Sequence, residues 1–136
     1  MSTQRQQPEV IAAALGASTI AIVGLSSNPM RPSYGVAEYL INAGFEVIPV
    51  NPREQEVLGL PCYASLAEVP VAIDMVDVFR ESSAVPDIAQ QAVAIGAKFL
   101  WLQLGVISDE GVGIAEAGGM QCVVDLCTKI EHQRLL

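Results

Sequence analysis

A chain of 136 residues, 51% apolar and only 5% aromatic, is expected to form one domain with an aliphatic core large enough to fold without disulfides or metal. Its net charge of −8 offers no basic stripe to neutralise phosphates, which excludes nucleic acid and anionic membrane surfaces as partners. Residues 1–7 are polar and read as a short arm rather than a signal peptide or membrane span, and Cys62, Cys122 and Cys127 match no zinc or thioredoxin spacing, so they read as reduced thiols in the cytoplasm with no metal site.

Short apolar runs alternate with amphipathic helical runs, the pattern of βαβ units around a parallel sheet. A leading helix over residues 8–15 ends near Gly16, and Thr19–Val23 is the first strand. A helix over 33–43 is closed by Gly44, and 45–50 is the second strand. A polar turn then runs past Tyr63 to Ser65, which is placed to cap a short helical turn through Val69. Residues 72–79 form the third strand. Ser82 or Ser83 caps the next helix, with Pro86 and Asp87 in its first turn and Gly96 at its end. Residues 99–104 are the fourth strand; Ser108 caps a helix that stops at Gly118-Gly119; 121–126 is the fifth strand, followed by a short C-terminal helix or tail from Thr128. The fold class expected is α/β, three-layer and doubly wound, with a mainly parallel five-stranded sheet.

Right-handed crossovers bring every strand-to-helix loop to one edge of such a sheet, and ligands bind where the strand order reverses. That edge collects residues 24–33, 51–53, 79–83 and 103–107. In the first loop Gly24, Ser26, Ser27, Asn28, Arg31 and Ser33 bring hydroxyls, an amide, a guanidinium and helix N–H groups to one spot, a set suited to an anion although Ser and Asn also serve as plain helix caps. The loop is not built for NAD. Gly24, Ser26 and Pro29 stand where a dinucleotide site has Gly-x-Gly-x-x-Gly, and the second strand ends in Asn51-Pro52-Arg53 without the ribose-binding carboxylate. An Arg there is compatible with an adenine nucleotide phosphorylated on its sugar, such as NADP or coenzyme A. Arg80, at the tip of the third strand, either meets a ligand phosphate or pairs with a carboxylate such as Glu81 or Asp87. Gln103 sits at a strand's C-terminal end and faces the crevice, whereas Trp101 reads as core. His132 shows no partner that would make it a catalytic base, and Cys127 reads first as a buried small apolar residue, with the ligand edge as the second reading.

These residues resemble a known family. The chain is similar, from about residue 17 to 135, to a stand-alone coenzyme A-binding domain related to the N-terminal domain of the succinyl-CoA synthetase α subunit. The resemblance rests on Ala21-Ile22-Val23-Gly24-Leu25-Ser26, Arg31-Pro32-Ser33-Tyr34-Gly35-Val36, Val47-Ile48-Pro49-Val50-Asn51-Pro52, Asp74-Met75-Val76-Asp77-Val78-Phe79-Arg80, Ile95-Gly96-Ala97-Lys98, Trp101-Leu102-Gln103-Leu104-Gly105, and Cys127 with Lys129-Ile130-Glu131-His132. It implies a Rossmann-like domain over 17–136, after an arm and leading helix over 1–16. It implies that Gly24, Ser26, Ser27, Asn28, Arg31 and Ser33 hold phosphates, that Asn51, Pro52 and Arg53 lie by the adenosine, and that Val78, Phe79 and Arg80 line the cleft. The phosphorylated histidine loop and second domain that do the synthetase's chemistry have no counterpart in these residues, so His132 does not inherit that role and no catalytic residue is assigned. The chain departs from the pattern at Leu126, where relatives often carry Arg.

The expectation is therefore a cytoplasmic protein that binds coenzyme A or acyl-CoA without catalysis, for sensing, carrying or protecting the coenzyme. A small NADP-dependent reductase or acyl-CoA-handling enzyme is the alternative, disfavoured by the absent glycine fingerprint and general base. An interaction protein that docks a partner through its acidic surface is a third reading. The sequence leaves the protein partner and a homodimer open.

Overall fold

The computed structural model describes residues 7–136, and the expected arm ahead of Gln7 lies outside them. Five strands, β1 (Thr19–Val23), β2 (Glu46–Val50), β5 (Met75–Val78), β6 (Phe99–Leu102) and β7 (Gln121–Val124), form one sheet in the order β2-β1-β5-β6-β7. Every pairing in it is parallel. The strands are short apolar runs because both faces are covered, and β1 is buried at all five positions. Ile20, Ile22, Met75, Trp101 and Val123 point into one layer, beneath α1 (Pro8–Ala14) and α2 (Pro32–Asn42). Ala21, Val76, Val78, Leu100, Leu102 and Cys122 point into the other, beneath α3 (Val85–Ala94) and α4 (Asp109–Ala117). This alternation is the period-2 rule of a strand applied to a sheet with helices on both sides, and it defines a doubly wound, Rossmann-like α/β fold. The final helix, α5 (Thr128–Leu135), follows β7 and contacts α2. Val10 and Ala14 of the leading helix are buried in the same core as β1.

The sheet order reverses beside β1, whose neighbours are β2 on one side and β5 on the other. The loops leaving β1 and β5 therefore diverge and open a crevice between them. Gly24 ends β1 at φ 90°, and its N–H donates to the Val50 carbonyl at 2.8 Å. A Cβ there would lie 2.6 Å from the Phe79 carbonyl oxygen, so only glycine lets the β5 exit pass this close. A second close approach joins α3 to α4, where a Cβ on Gly111 would meet Val85 Cγ1 at 2.4 Å.

Four local expectations change. The third, fourth and fifth strands, expected over 72–79, 99–104 and 121–126, occupy Met75–Val78, Phe99–Leu102 and Gln121–Val124; the N–H groups of Phe79, Gln103 and Asp125 still donate to Val23, Val78 and Leu102, and the chain turns away after them to form the crevice. The polar turn after β2 contains an antiparallel hairpin, β3 (Glu56–Val57) with β4 (Leu60–Pro61), closed by Leu58 and Gly59 at φ 55° and 77°. Two positive φ values in sequence are the geometry of a two-residue hairpin turn, normally advertised by Asn-Gly; Leu58 hides it and is held there by packing against the core. The helix after β5 is not capped by Ser82 or Ser83. A 3-10 turn, Ser82–Ala84, precedes it, and Ser82 Oγ instead accepts from the Ile107 N–H at 3.0 Å, tying two crevice loops together. Ser65 begins a 3-10 turn without a side-chain cap, whereas Ser108 caps α4 through the Gly111 N–H at 3.0 Å.

Gly24→Ala combines a left-handed backbone with a carbonyl clash and is expected to cost on the order of 3 kcal/mol. Thermal denaturation should show a fall of roughly 10 °C. An unchanged melting temperature would show that the β1–β5 junction yields easily.

Candidate functional site

A cleft of about 820 Å³ opens at the C-terminal edge of the sheet. Gly24, Ser26, Arg31 and Ser33 line it from the β1 loop, Asn51, Pro52 and Arg53 from the β2 loop, Phe79 and Arg80 from the β5 exit, and Gln103 from the end of β6. Three of the chain's seven basic residues thus face one cavity in a protein of net charge −8. Pro32, Val36, Leu104, Val106 and Cys127 add an apolar wall, and Glu54 and Glu81 add carboxylates. A smaller cavity of about 260 Å³, with Val50, Leu66 and Ile88 in its walls, shares Gly24, Pro52 and Arg80 with the first.

Of the residues singled out from sequence, Ser27, Asn28 and Val78 are not in the lining. Val78 is fully buried in the layer beneath. The β1 loop is held by its own polar groups: Ser33 Oγ accepts from the Ser26 N–H at 3.1 Å, Ser26 Oγ from the Asn28 N–H at 3.0 Å, and Asn28 Oδ1 from the Met30 N–H at 2.9 Å. Ser27 donates both its N–H, at 2.9 Å, and its hydroxyl, at 2.8 Å, to one oxygen of Glu54. These bonds, the backbone one first, hold the Glu54 carboxyl below the usual carboxylate range. Glu54 is a carboxylate that sequence reasoning missed. It lies beyond the strand tip, and its contact spans 27 residues, so no local motif marks it. Asn51 joins the same loops, its Nδ2 donating to the Leu25 carbonyl at 3.1 Å and its Oδ1 accepting from the Arg53 N–H at 3.0 Å. Arg80 Nε donates to Glu81 at 2.9 Å, a pair exposed enough to contribute little to stability and open to rearrangement.

The inner wall of the cleft rests on a buried polar chain. Asp77 of β5, Gln103 and Thr128 of α5 are all at most 4% exposed. The Thr128 N–H donates to Gln103 Oε1 at 3.0 Å, and its hydroxyl lies 3.1 Å from both that oxygen and Asp77 Oδ2. Asp77 Oδ1 has no hydrogen-bond partner among the described residues. One hydroxyl proton cannot serve two acceptors, so an ionised Asp77 would leave a buried charge poorly satisfied. A protonated Asp77 resolves this, donating to Thr128, which donates onward to Gln103. Burial, only partly opposed by the Thr128 bond, pushes the Asp77 carboxyl up to about 8. Trp101 is fully buried and donates its indole N–H to the Leu126 carbonyl at 2.8 Å. Cys127 is 7% exposed yet lines the cleft. His132 faces elsewhere, with Nδ1 2.7 Å from the Tyr39 hydroxyl and its ring edge-on to Phe45.

A doubly wound domain with an arginine-lined cleft at its switch point belongs to the broad class of Rossmann-like domains whose ligands sit at that edge. Comparison narrows the class: residues 18–133 match the CoA binding domain family, and the chain belongs to it. It is 39% identical over 113 residues to the uncharacterized Bacillus subtilis protein YneT, covering 83% of this chain and 84% of that one. A hypothetical protein from Pyrococcus horikoshii OT3 superposes with a TM-score of 0.94 at 34% identity, over 99% of this chain and 96% of the other. The ADP-forming acetate–CoA ligase II of Archaeoglobus fulgidus is 28% identical over 100 residues, which are 72% of this chain but 15% of the ligase.

Asp77 gives the site a pH signature. The folded protein keeps this proton up to about pH 8, whereas an unfolded Asp releases it near about 3.9. Between those values unfolding releases a proton, so the Asp77 contribution to stability declines as pH rises. Asp77→Asn cannot ionise, and its Nδ2 can donate to Thr128 in the acid's place. Its melting temperature should exceed that of the wild type by a margin that widens from pH 5 to pH 8 in calorimetric scans. A margin independent of pH would show that Asp77 does not hold the proton.

Proposed function

We propose that this chain binds coenzyme A, free or acylated, in the cytoplasm and holds it without transforming it, as a sensor, carrier or protector of the coenzyme. The observation that carries the reading is the gathering of Arg31, Arg53 and Arg80 at one cleft of an acidic chain. Such donors meet the pyrophosphate and ribose phosphate of a nucleotide whose charge the rest of the surface repels. The apolar wall of Val36, Phe79 and Val106 suits the pantetheine arm, and the smaller cavity beside Pro52 and Arg80 suits a flat base. Membership of a CoA binding domain family and likeness to part of an acetate–CoA ligase support the same ligand. The single histidine is bonded to Tyr39 outside the cleft lining, which favours holding over acid–base chemistry.

Coenzyme A at a hundredfold excess over its Kd is expected to stabilise the fold by about 2.7 kcal/mol, or roughly 8–14 °C in a thermal shift assay. NAD at the same concentration should give no shift. Equal shifts from NAD and coenzyme A would defeat the reading, and oxidation of NADPH in an absorbance assay would favour a reductase.

Arg31→Ala should weaken coenzyme A about tenfold by calorimetry, through loss of a charge-assisted phosphate contact. Adenosine analogues without the pyrophosphate should lose much less. Equal losses, or none, would make Arg31 a surface residue only.

A further inference from the structure

The orientation of the Gln103 amide is fixed by its hydrogen-bond partners. A backbone N–H can only donate, so the Gln103 atom 3.0 Å from the Thr128 nitrogen must be the carbonyl oxygen. The Thr128 hydroxyl, 3.1 Å from the same oxygen, adds a second donor once Asp77 supplies the proton on its other side. Gln103 Oε1 is thus turned into the protein, and its Nε2 group is left to the cleft that the residue lines. Gln103 is 4% exposed as a residue, and Asp77 Oδ1, not Gln103 Nε2, is the buried side-chain atom left without a partner among the described residues, so the amide nitrogen keeps access to the cleft. An amide donor facing a cavity calls for an accepting ligand atom, and beside the apolar Leu104, Val106 and Cys127 an uncharged carbonyl oxygen suits it better than a phosphate.

We infer that Gln103 selects a carbonyl oxygen of the ligand at the inner wall of the cleft, and that Thr128 is the positioning residue that keeps its donor face outward. The inference rests on the coenzyme A reading. There the carbonyl belongs to the pantetheine arm or to the thioester of an acyl form; the nucleotide half has none. Asp77 fixes the direction of the chain from behind Thr128 and does not touch the ligand. A Gln103 turned the other way would set its NH₂ against the Thr128 N–H, donor facing donor, and would present an acceptor to the cleft.

The test is calorimetric titration of the wild type, Gln103→Met, Thr128→Val and Thr128→Ser with coenzyme A, acetyl-CoA and adenosine 3′,5′-bisphosphate, which lacks both carbonyl sources. Gln103→Met keeps the length and removes the donor; it should weaken coenzyme A or acetyl-CoA roughly tenfold while changing the bisphosphate by less than about twofold. Loss of both coenzyme forms in equal measure assigns the contact to the pantetheine arm, and a larger loss for acetyl-CoA assigns it to the thioester. Thr128→Val should produce a partial loss of the same selectivity, restored by Thr128→Ser. Should Thr128→Val melt too low to titrate, the Gln103→Met ratio decides alone. Wild-type binding of coenzyme A with no change in Gln103→Met, or with equal losses for the bisphosphate, overturns this inference and leaves the coenzyme A reading standing. Failure of the wild type to bind any of the three overturns both.

Discussion

The passage of the β5 exit across Gly24 is the contact on which the cleft depends. A parallel sheet entered at its middle must send the chain to one side after β1 and to the other after β5, and the two departing loops would normally keep a side chain's width between them. Here the Phe79 carbonyl occupies the place of a Cβ on Gly24. The same glycine accepts the sheet's curvature from the other side through its bond to Val50. Three strand ends are thereby fixed within one small region, and the side chains that follow them, Asn51, Arg80 and the β1 loop, inherit their positions from backbone rather than from one another. Side chains carried on rigid strand ends are held more closely than side chains on free loops, which is why this edge is the recurrent binding place of the fold.

The electrostatics of that edge are less simple than a phosphate loop with open amides. The N–H groups of Ser26, Ser27, Asn28 and Met30 are all engaged by side chains of the protein itself. Glu54 bonds Ser27 much as an anion's oxygen would, through one oxygen shared by an amide and a hydroxyl. Displacement of Glu54 would free only the Ser27 amide and hydroxyl, since the amides of Ser26, Asn28 and Met30 are bonded to Ser33, Ser26 and Asn28. Attraction through exposed arginines is long-ranged but screened by salt, whereas displacement of a bonded carboxylate discriminates among anions by shape. The two carboxylates in the lining also explain how an acidic protein can keep three arginines together without strong mutual repulsion when the cleft holds nothing.

Much of this was legible because the local and global preferences agree. β1 is an unbroken apolar run that is buried throughout, and the α4 cap was readable from Ser108 with two acids behind it. The rest was hidden for identifiable reasons. Leu58-Gly59 makes a turn that Asn-Gly would announce, its strain offset by burial of the neighbouring Val57. Ser82 has the composition of a cap but finds a better acceptor role 25 residues away. Asn51 looks like a ligand contact and lines the cleft, yet both ends of its amide already bridge backbone segments. Such pairings are fixed only when the sheet assembles, so no window of sequence contains them. Asp77 did carry a signal: a lone carboxylate inside a parallel strand that is otherwise Val and Met must be buried, and a buried acid without a cation is neutral.

That acid is a carboxyl group buried completely among apolar neighbours. Asp77 faces the layer of Ile22 and Trp101, where an apolar residue would pack without the proton and without an unpaired oxygen. A neutral acid in this position does something no hydrocarbon could do: it donates a single hydrogen bond in one direction. Thr128 is thereby committed to donate toward Gln103, and α5, which begins at Thr128, is locked to β5 and β6 by bonds that also decide which face of an amide the cleft presents. Polar groups in a core are tolerated when every member of the chain is oriented by the next, and they specify geometry more sharply than packing does. The energetic penalty of burying Asp77 thus falls on the junction of β5 with α5, directly behind Gln103 on the inner wall of the cleft.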